Sequence, residues 1–266
     1  MKPKYVFSLV VVGCIFISAG LAMAFDVAIS NQAGWWSQGA ADGEMEALKA
    51  AIEGSVGSVE IFASDNQAAL ATWVKNNTAD GENDILLLCG QFPNPIYAPG
   101  NAQADDSLAE IFLDSGNTIL NTGDYMFYVV DGGGTNAAGG LQTMMDIAAI
   151  TMWDDNTAVE VTSDGANYTP TLVDFQTDRP FHLDELEGGW EPELIMAQNA
   201  AGTRADPVVV VNRDTGGMLG IFYQTAGQDD DPRAAVISEF IISYFRTTAV
   251  TPASKLSTSW GAIKSE

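Results

Sequence analysis

Two side chains in this sequence have the chemistry of a nucleophile and its base: Cys89, one of two cysteines, and His182, the sole histidine. Together with Asp184 they would make a Cys-His-acid arrangement, with a thiolate attacking, an imidazole taking its proton and a carboxylate orienting the ring. Cys89 ends the apolar run Leu86-Leu87-Leu88 and precedes Gly90, which suits the tip of a strand. In such a run a cysteine also serves as a small buried apolar residue. His182, inside Arg179-Pro180-Phe181-His182-Leu183, equally suits a structural hydrogen bonder. The structural reading is preferred, so no residue is assigned as catalytic and the Cys89-His182-Asp184 hydrolase is kept as the alternative. One histidine and one cysteine make a poor zinc set. The pairs Asp154-Asp155 and Asp229-Asp230-Asp231 are candidates for calcium but lack the D-x-D-x-D-G spacing of a binding loop. No metal and no cofactor is expected. No G-x-S-x-G, P-loop or complete G-x-G-x-x-G stands in the chain.

The second group of candidates suits binding. Trp35, Trp36, Gln91, Asn94, Tyr97, Asn101, Asp124, Tyr125, Tyr128, Gln228 and Asp229 fall in four loops, 31–37, 90–103, 122–134 and 225–231. Aromatic faces beside amides and carboxylates suit a neutral polar ligand such as a carbohydrate. Each of these loops follows an expected strand, and ligands of open parallel sheets gather at the carboxyl ends of strands.

The elements that must hold those loops are legible from periodicity. Residues 25–30 alternate as a first strand. Residues 44–52 place Met45, Leu48 and Ile52 at helical spacing. Residues 58–63 form a second strand, and the next helix runs through Leu70, Trp73 and Val74 from a Ser64 or Asp65 cap. Residues 84–89 form a strand in which Asp84 is followed by a continuous apolar run, as burial on both faces requires. Asp105 or Asp106 is expected to cap a helix through Leu108, Ile111, Phe112 and Leu113, which Gly116 ends. A strand over 117–121 follows, with the turn Thr122-Gly123-Asp124 after it. Beyond Val130 the pattern loosens into a Gly-rich loop, a short helix over 141–147, a strand at 159–161 and a long irregular segment over 168–184. Strands over 207–212 and 218–224 and a final helix close the domain. That helix has Pro232 at its first position and an apolar stripe of Val236, Ile237, Phe240, Ile241 and Tyr244. The order predicts an α/β fold, a three-layer αβα, flavodoxin-like arrangement with a mostly parallel sheet.

The ends differ from this core. Lys2 and Lys4 precede an apolar run over 5–21, and Ala22-Met23-Ala24 offers a small-x-small cleavage pattern. This reads as a bacterial secretory signal, residues 1–24, cut near Ala24. A membrane anchor and lipidation at Cys14 are the weaker alternatives. About 240 residues follow the cut, enough for one large domain over 25–246. Once Cys14 is removed Cys89 has no intrachain partner, so stability must come from the core. Acidic residues number 35 against 11 basic ones, a net charge of −24. Such a surface offers no basic patch to nucleic acid or anionic lipid. No second apolar segment can span a bilayer after cleavage. Residues 247–266 read as a linker and a short tail motif. That motif, Lys255-Leu256-Ser257-Thr258-Ser259-Trp260-Gly261-Ala262-Ile263-Lys264, resembles endings of uncharacterised bacterial secreted proteins. A cell-surface or sorting partner for that tail is one expectation, and a secreted, periplasmic or cell-surface location goes with it.

The layout resembles the class I glutamine amidotransferase-like superfamily, closest to its ThuA-like and β-galactosidase trimerisation-type branch. The resemblance rests on Asp84-Ile85-Leu86-Leu87-Leu88-Cys89-Gly90, on Phe112-Leu113-Asp114-Ser115-Gly116, and on Thr118-Ile119-Leu120-Asn121 with Thr122-Gly123-Asp124. The last piece is Gly216-Gly217-Met218-Leu219-Gly220-Ile221-Phe222, and the whole covers residues 25–245. It implies the fold, but the family's nucleophilic cysteine would stand after strand 118–122, where this chain has Gly123-Asp124. Cys89 falls one strand earlier, and no H-x-E follows the last strands. The resemblance therefore implies a non-glutaminase domain that binds a small polar ligand or acts as an interaction module.

Overall fold

The computed structural model describes residues 25–100, 107–130 and 134–245. The expected signal over 1–24, the expected tail over 247–266, Asn101 and the expected caps Asp105 and Asp106 lie outside the described residues. Seven strands form the main sheet: β1 Val27–Asn31, β2 Val59–Ala63, β3 Ile85–Leu88, β4 Thr118–Thr122, β5 Trp190–Ile195, β6 Val208–Asn212 and β7 Met218–Phe222. Their order across the sheet is β5-β6-β7-β4-β3-β1-β2. Neighbours from β7 to β2 pair in parallel. Only β6 runs against its neighbours, because the tight turn after Asn212 folds it onto β7 as a hairpin.

Alternation within β3 shows how the core divides. Leu86 and Leu88 enter one apolar cluster, with Leu70, Trp73 and Val74 of α2 (Gln67–Asn76) and Ala109, Phe112 and Leu113 of α3 (Leu108–Asp114). Ile85, Leu87 and Cys89 enter the other. There they meet Ala41, Met45, Leu48 and Ile52 of α1 (Gln38–Ile52) and Val236, Ile237 and Phe240 of a later helix (Arg233–Phe240). With both faces covered, β3 is apolar at every position, which is why it reads as an unbroken run. Burying a Leu or Ile side chain contributes about 1.5–3 kcal/mol, and all four residues of β3 are of this kind.

Capping moves two helix starts from their expected places. Ser37 accepts the Ala40 N–H at 3.2 Å, so α1 begins at Gln38, six residues ahead of the expected 44. Ser107, not an upstream aspartate, caps α3, and Glu110 completes the capping box with the Ser107 N–H at 3.0 Å. Gly116 ends α3 at φ +91°, as expected.

The irregular middle is more ordered than its sequence suggests. Two short helices occur, α4 (Gly139–Met145) and α5 (Ser163–Tyr168), so the final helix is α6. An antiparallel array runs in the order Phe181–His182, Arg204–Ala205, Ala197–Gln198, Thr157–Val161 and Phe175–Thr177. Pro232 precedes α6 rather than occupying its first position, which falls to Arg233. Among the described residues no helix is long and apolar enough to cross a membrane.

Candidate functional site

The chain starts at β1, adds β2 on one side, and returns to add β3 on the other. A sheet that reverses its winding this way opens a crevice at the carboxyl ends of the two diverging strands, because their connections leave to opposite faces. Here those ends are Ala33-Gly34-Trp35 after β1 and Gly90-Gln91 after β3. They meet at close range: the Gly34 N–H donates to the Cys89 carbonyl at 2.9 Å, and Ala33 bridges Gly90. Gly90 sits at φ +101°, and a Cβ there would lie 2.7 Å from the Gly34 oxygen. A Cβ on Gly34 would lie 2.9 Å from the Gly90 carbonyl. Both glycines are required by this contact.

The two adjacent tryptophans part company at this point. Trp36 turns inward, donating from Nε1 to the Cys89 carbonyl at 3.0 Å, with the Arg233 guanidinium 4.4 Å over its ring. Trp35 turns outward and is 55% exposed. Its backbone is in the left-handed region at φ +70°, which costs a bulky residue on the order of 1–3 kcal/mol. The Gly227 N–H, donating to the Trp35 carbonyl at 2.6 Å, helps hold it there.

Beside Trp35 lies a cleft of about 410 Å³, lined also by Ala33, Gly34, Gln91, Tyr128, Val129, Gly134 and Thr135. Gln91 donates from Nε2 to the Ala33 carbonyl at 2.7 Å, while its buried Oε1 has no hydrogen-bond partner among the described residues. The far wall is a small ribbon in which Val129–Val130 pairs with Gln91–Phe92 and Gly134–Thr135. The cleft therefore combines the Trp35 indole, the Tyr128 ring and the Gln91 side chain.

The turn after β4 holds Gly123 and Asp124, with no thiol. Gly123 is at φ +112°, and a Cβ there would lie 2.9 Å from Trp36 Nε1. Asp124 is buried; its Oδ1 accepts the Tyr125 N–H at 2.5 Å and lies 3.6 Å from Arg179 Nε. Burial raises its carboxyl above the ordinary range, against the pull of the Tyr125 N–H and Arg179. Tyr125 is also buried, its hydroxyl accepting the Met152 N–H at 3.0 Å, and desolvation pushes its pKa up to about 12. Its ring packs 5.3 Å from Tyr128 and 4.9 Å from Trp153.

A buried arginine ties these loops together. Arg233 donates from Nε to Thr122 Oγ1 at 3.0 Å, from Nη1 to the Gln228 carbonyl at 2.5 Å and from Nη2 to Thr225 Oγ1 at 2.8 Å, and Nη2 lies 3.1 Å from Asp231 Oδ2. Desolvation pulls its pKa below the ordinary value, opposed by Asp231, Asp206 and Glu44. Sequence reasoning missed it. The available signal was a lone cation beside the Asp229-Asp230-Asp231 run in a chain short of cations.

The remaining candidates are placed as follows. Cys89 is fully buried in the layer shared with α1 and α6, and burial drives its thiol pKa far up. His182 is engaged elsewhere: Nδ1 lies 2.9 Å from Glu185 Oε1 and 3.2 Å from Thr151 Oγ1, and Nε2 lies 2.9 Å from Asp154 Oδ2. Asp184 pairs with Arg204 at 2.5 Å instead of with the histidine. The structure does not bring these three into a nucleophile-base-acid array. Tyr97 is core, stacked 4.6 Å from Phe92 with its hydroxyl on Thr143. Trp36 and Tyr125 are likewise supports beneath the rim. Asp229 braces the loops by accepting the Ser37 N–H at 2.9 Å, which holds its carboxyl below the usual range. Gln228 serves through its carbonyl, and Asn94 is exposed. Of the calcium candidates, Asp154 pairs with Arg204, Asp155 with Arg179 and Asp231 with Arg233, while Asp229 accepts the Ser37 N–H. Of the expected ligand residues, Trp35 and Gln91 line the cleft, with Tyr128 opposite.

No family model matches the sequence, and no curated protein matches it. A solved structure described as a ThuA-like protein from Bacteroides uniformis aligns at a TM-score of 0.46 with 11% sequence identity. The alignment covers 84% of this chain and 90% of that one.

Proposed function

We propose that this domain is a non-glutaminase, amidotransferase-like binding module that takes a neutral polar ligand, a carbohydrate, in the cleft at the ends of β1 and β3. Under this reading the fold is a three-layer, flavodoxin-like sheet of the ThuA-like branch, exported by residues 1–24 and displayed with its acidic surface to the medium. The observation that carries it is Trp35, held outward by a left-handed backbone over a cleft that Gln91 and Tyr128 also line. A sugar matches this surface: its axial C–H faces pack on an indole, while its hydroxyls keep their hydrogen bonds to water and to polar groups of the wall. The net charge of −24 works against anionic ligands. A thiol hydrolase is the weaker reading, because Cys89 lies within the apolar layer beneath the cleft, its sulfur away from solvent.

The test is a calorimetric and thermal-shift screen of the domain against neutral mono- and oligosaccharides, beside Trp35→Ala. Binding by the wild type that weakens about ten-fold in W35A is the expected result, a loss of roughly 1.4 kcal/mol. No ligand across the panel, or unchanged affinity in W35A, overturns the proposal.

A further inference from the structure

We infer that the cleft is one end of a longer track, and that its occupant is a chain of several neutral sugar units rather than a single sugar; this rests on the carbohydrate reading above. The second position is Trp153. This side chain is 49% exposed in a segment without regular structure, where a free indole would be expected to fold down onto apolar surface. Three neighbours hold it out. Tyr125 packs edge-on at 4.9 Å and 62°, and Tyr128 at 5.4 Å and 88°. The Arg179 guanidinium lies 5.4 Å from the ring centre.

Arg179 is itself fixed, donating to the Asp154 carbonyl at 3.1 Å and the Asp178 carbonyl at 2.6 Å, paired with Asp155, and 3.6 Å from Asp124. Its charge is thus spent within the protein and is not free to draw an anion. What remains on offer at Trp153 is an oriented aromatic surface rimmed by carboxylates.

Tyr128 links the two positions. It lines the cleft with Trp35 on one side and packs against Trp153 on the other. Trp35, Tyr128 and Trp153 therefore follow one another along the rim, the first two on segments leaving β1 and β4 and the third on the segment that leads into the antiparallel array. A monosaccharide covers one such ring. A linear oligosaccharide covers successive rings, and each added stacking contact makes the next one intramolecular. The surrounding carboxylates select for neutral units and against uronic acid or sulfated polymers.

The experiment measures affinity for neutral linear oligosaccharides of one to six units, drawn from the series that contains the best binder of the screen. Wild type, Trp153→Ala and Trp35→Ala are compared. Affinity is expected to rise with length and then level off, with the longest members gaining about ten-fold over the shortest. W153A is expected to lose that gain while binding the shortest ligand as the wild type does. W35A weakens every member. Equal affinity at all lengths, or a length dependence unchanged in W153A, overturns the extended track and leaves the cleft reading standing. Absence of binding to any member overturns both. Preference for a polyuronate over its neutral counterpart overturns the neutral-chain assignment.

Discussion

Replacing Asp84 by asparagine should change how stability depends on pH, and the burial of its carboxyl sets the sign. Asp84 is fully buried at the amino end of β3. One carboxyl oxygen accepts the Asp26 N–H at 2.6 Å, and the other has no partner among the described residues. Desolvation, countered by that one hydrogen bond and aided by Asp80, Asp26 and Glu82, raises its pKa from 3.8 to about 7. A raised value means the folded state binds the proton more tightly than the unfolded chain. The resulting stabilisation is complete below about pH 3.8 and is lost as the pH rises through about 7. The two values lie about three pH units apart, so the site contributes up to about 4 kcal/mol across that window. The general repulsion of a chain carrying −24 charges also relaxes on acidification, but it does so in both proteins and cancels in their difference. Urea unfolding of wild type and D84N at constant ionic strength, from pH 4 to 8, isolates the site. Asparagine keeps an acceptor for the Asp26 N–H but carries no charge. D84N should therefore gain on the wild type steadily as the pH rises, by up to about 4 kcal/mol over the range. Parallel curves would show that Asp84 is solvated or paired in the folded protein and would refute the reasoning.

Gly90→Ala should destabilise the fold by roughly 1–3 kcal/mol, because it forces φ +101° on a residue with a Cβ aimed 2.7 Å from the Gly34 oxygen. Denaturant titration reads the loss, and a neutral result would mean the β1 and β3 ends are not in contact. Arg233→Met should cost on the order of 3–5 kcal/mol, since it strands Thr122, Thr225 and Asp231 around a removed charge. It should also shift Trp36 fluorescence, as the cation over that ring is lost; an unchanged melting temperature and spectrum would contradict this. Cys89 should resist iodoacetamide in the native protein at neutral pH and react promptly in denaturant. Prompt native labelling would reopen thiol chemistry.

The pairing of Trp35 with Trp36 shows how far the sequence alone could be read, and why no further. Strands and helices around the site were legible because the layers bury both faces of β3 and one stripe of α1 and α2. These are constraints that act on every second or every third and fourth residue. β5 was illegible for the same reason inverted: at the sheet edge it carries Glu191, Pro192 and Glu193 in a row, and β6 alone supplies its partner hydrogen bonds. Within the site, residue type announced that the loop after β1 was aromatic. It did not announce which indole faces the cleft, because that depends on a left-handed residue, the contact between Gly34 and Gly90, and a guanidinium from α6. Trp36 is spent as the ceiling of Arg233 and the donor to Cys89, and that commitment is what frees Trp35 to stand out over the cleft. Trp153 escaped notice because nothing local marks it; only Tyr125, Tyr128 and Arg179, from two separate segments, make it a fixed surface rather than a mobile one. The exposed aromatics on this rim thus owe their orientation to buried or half-buried charges and to glycines behind them. Variation in those supports should alter binding as surely as variation in the rings themselves.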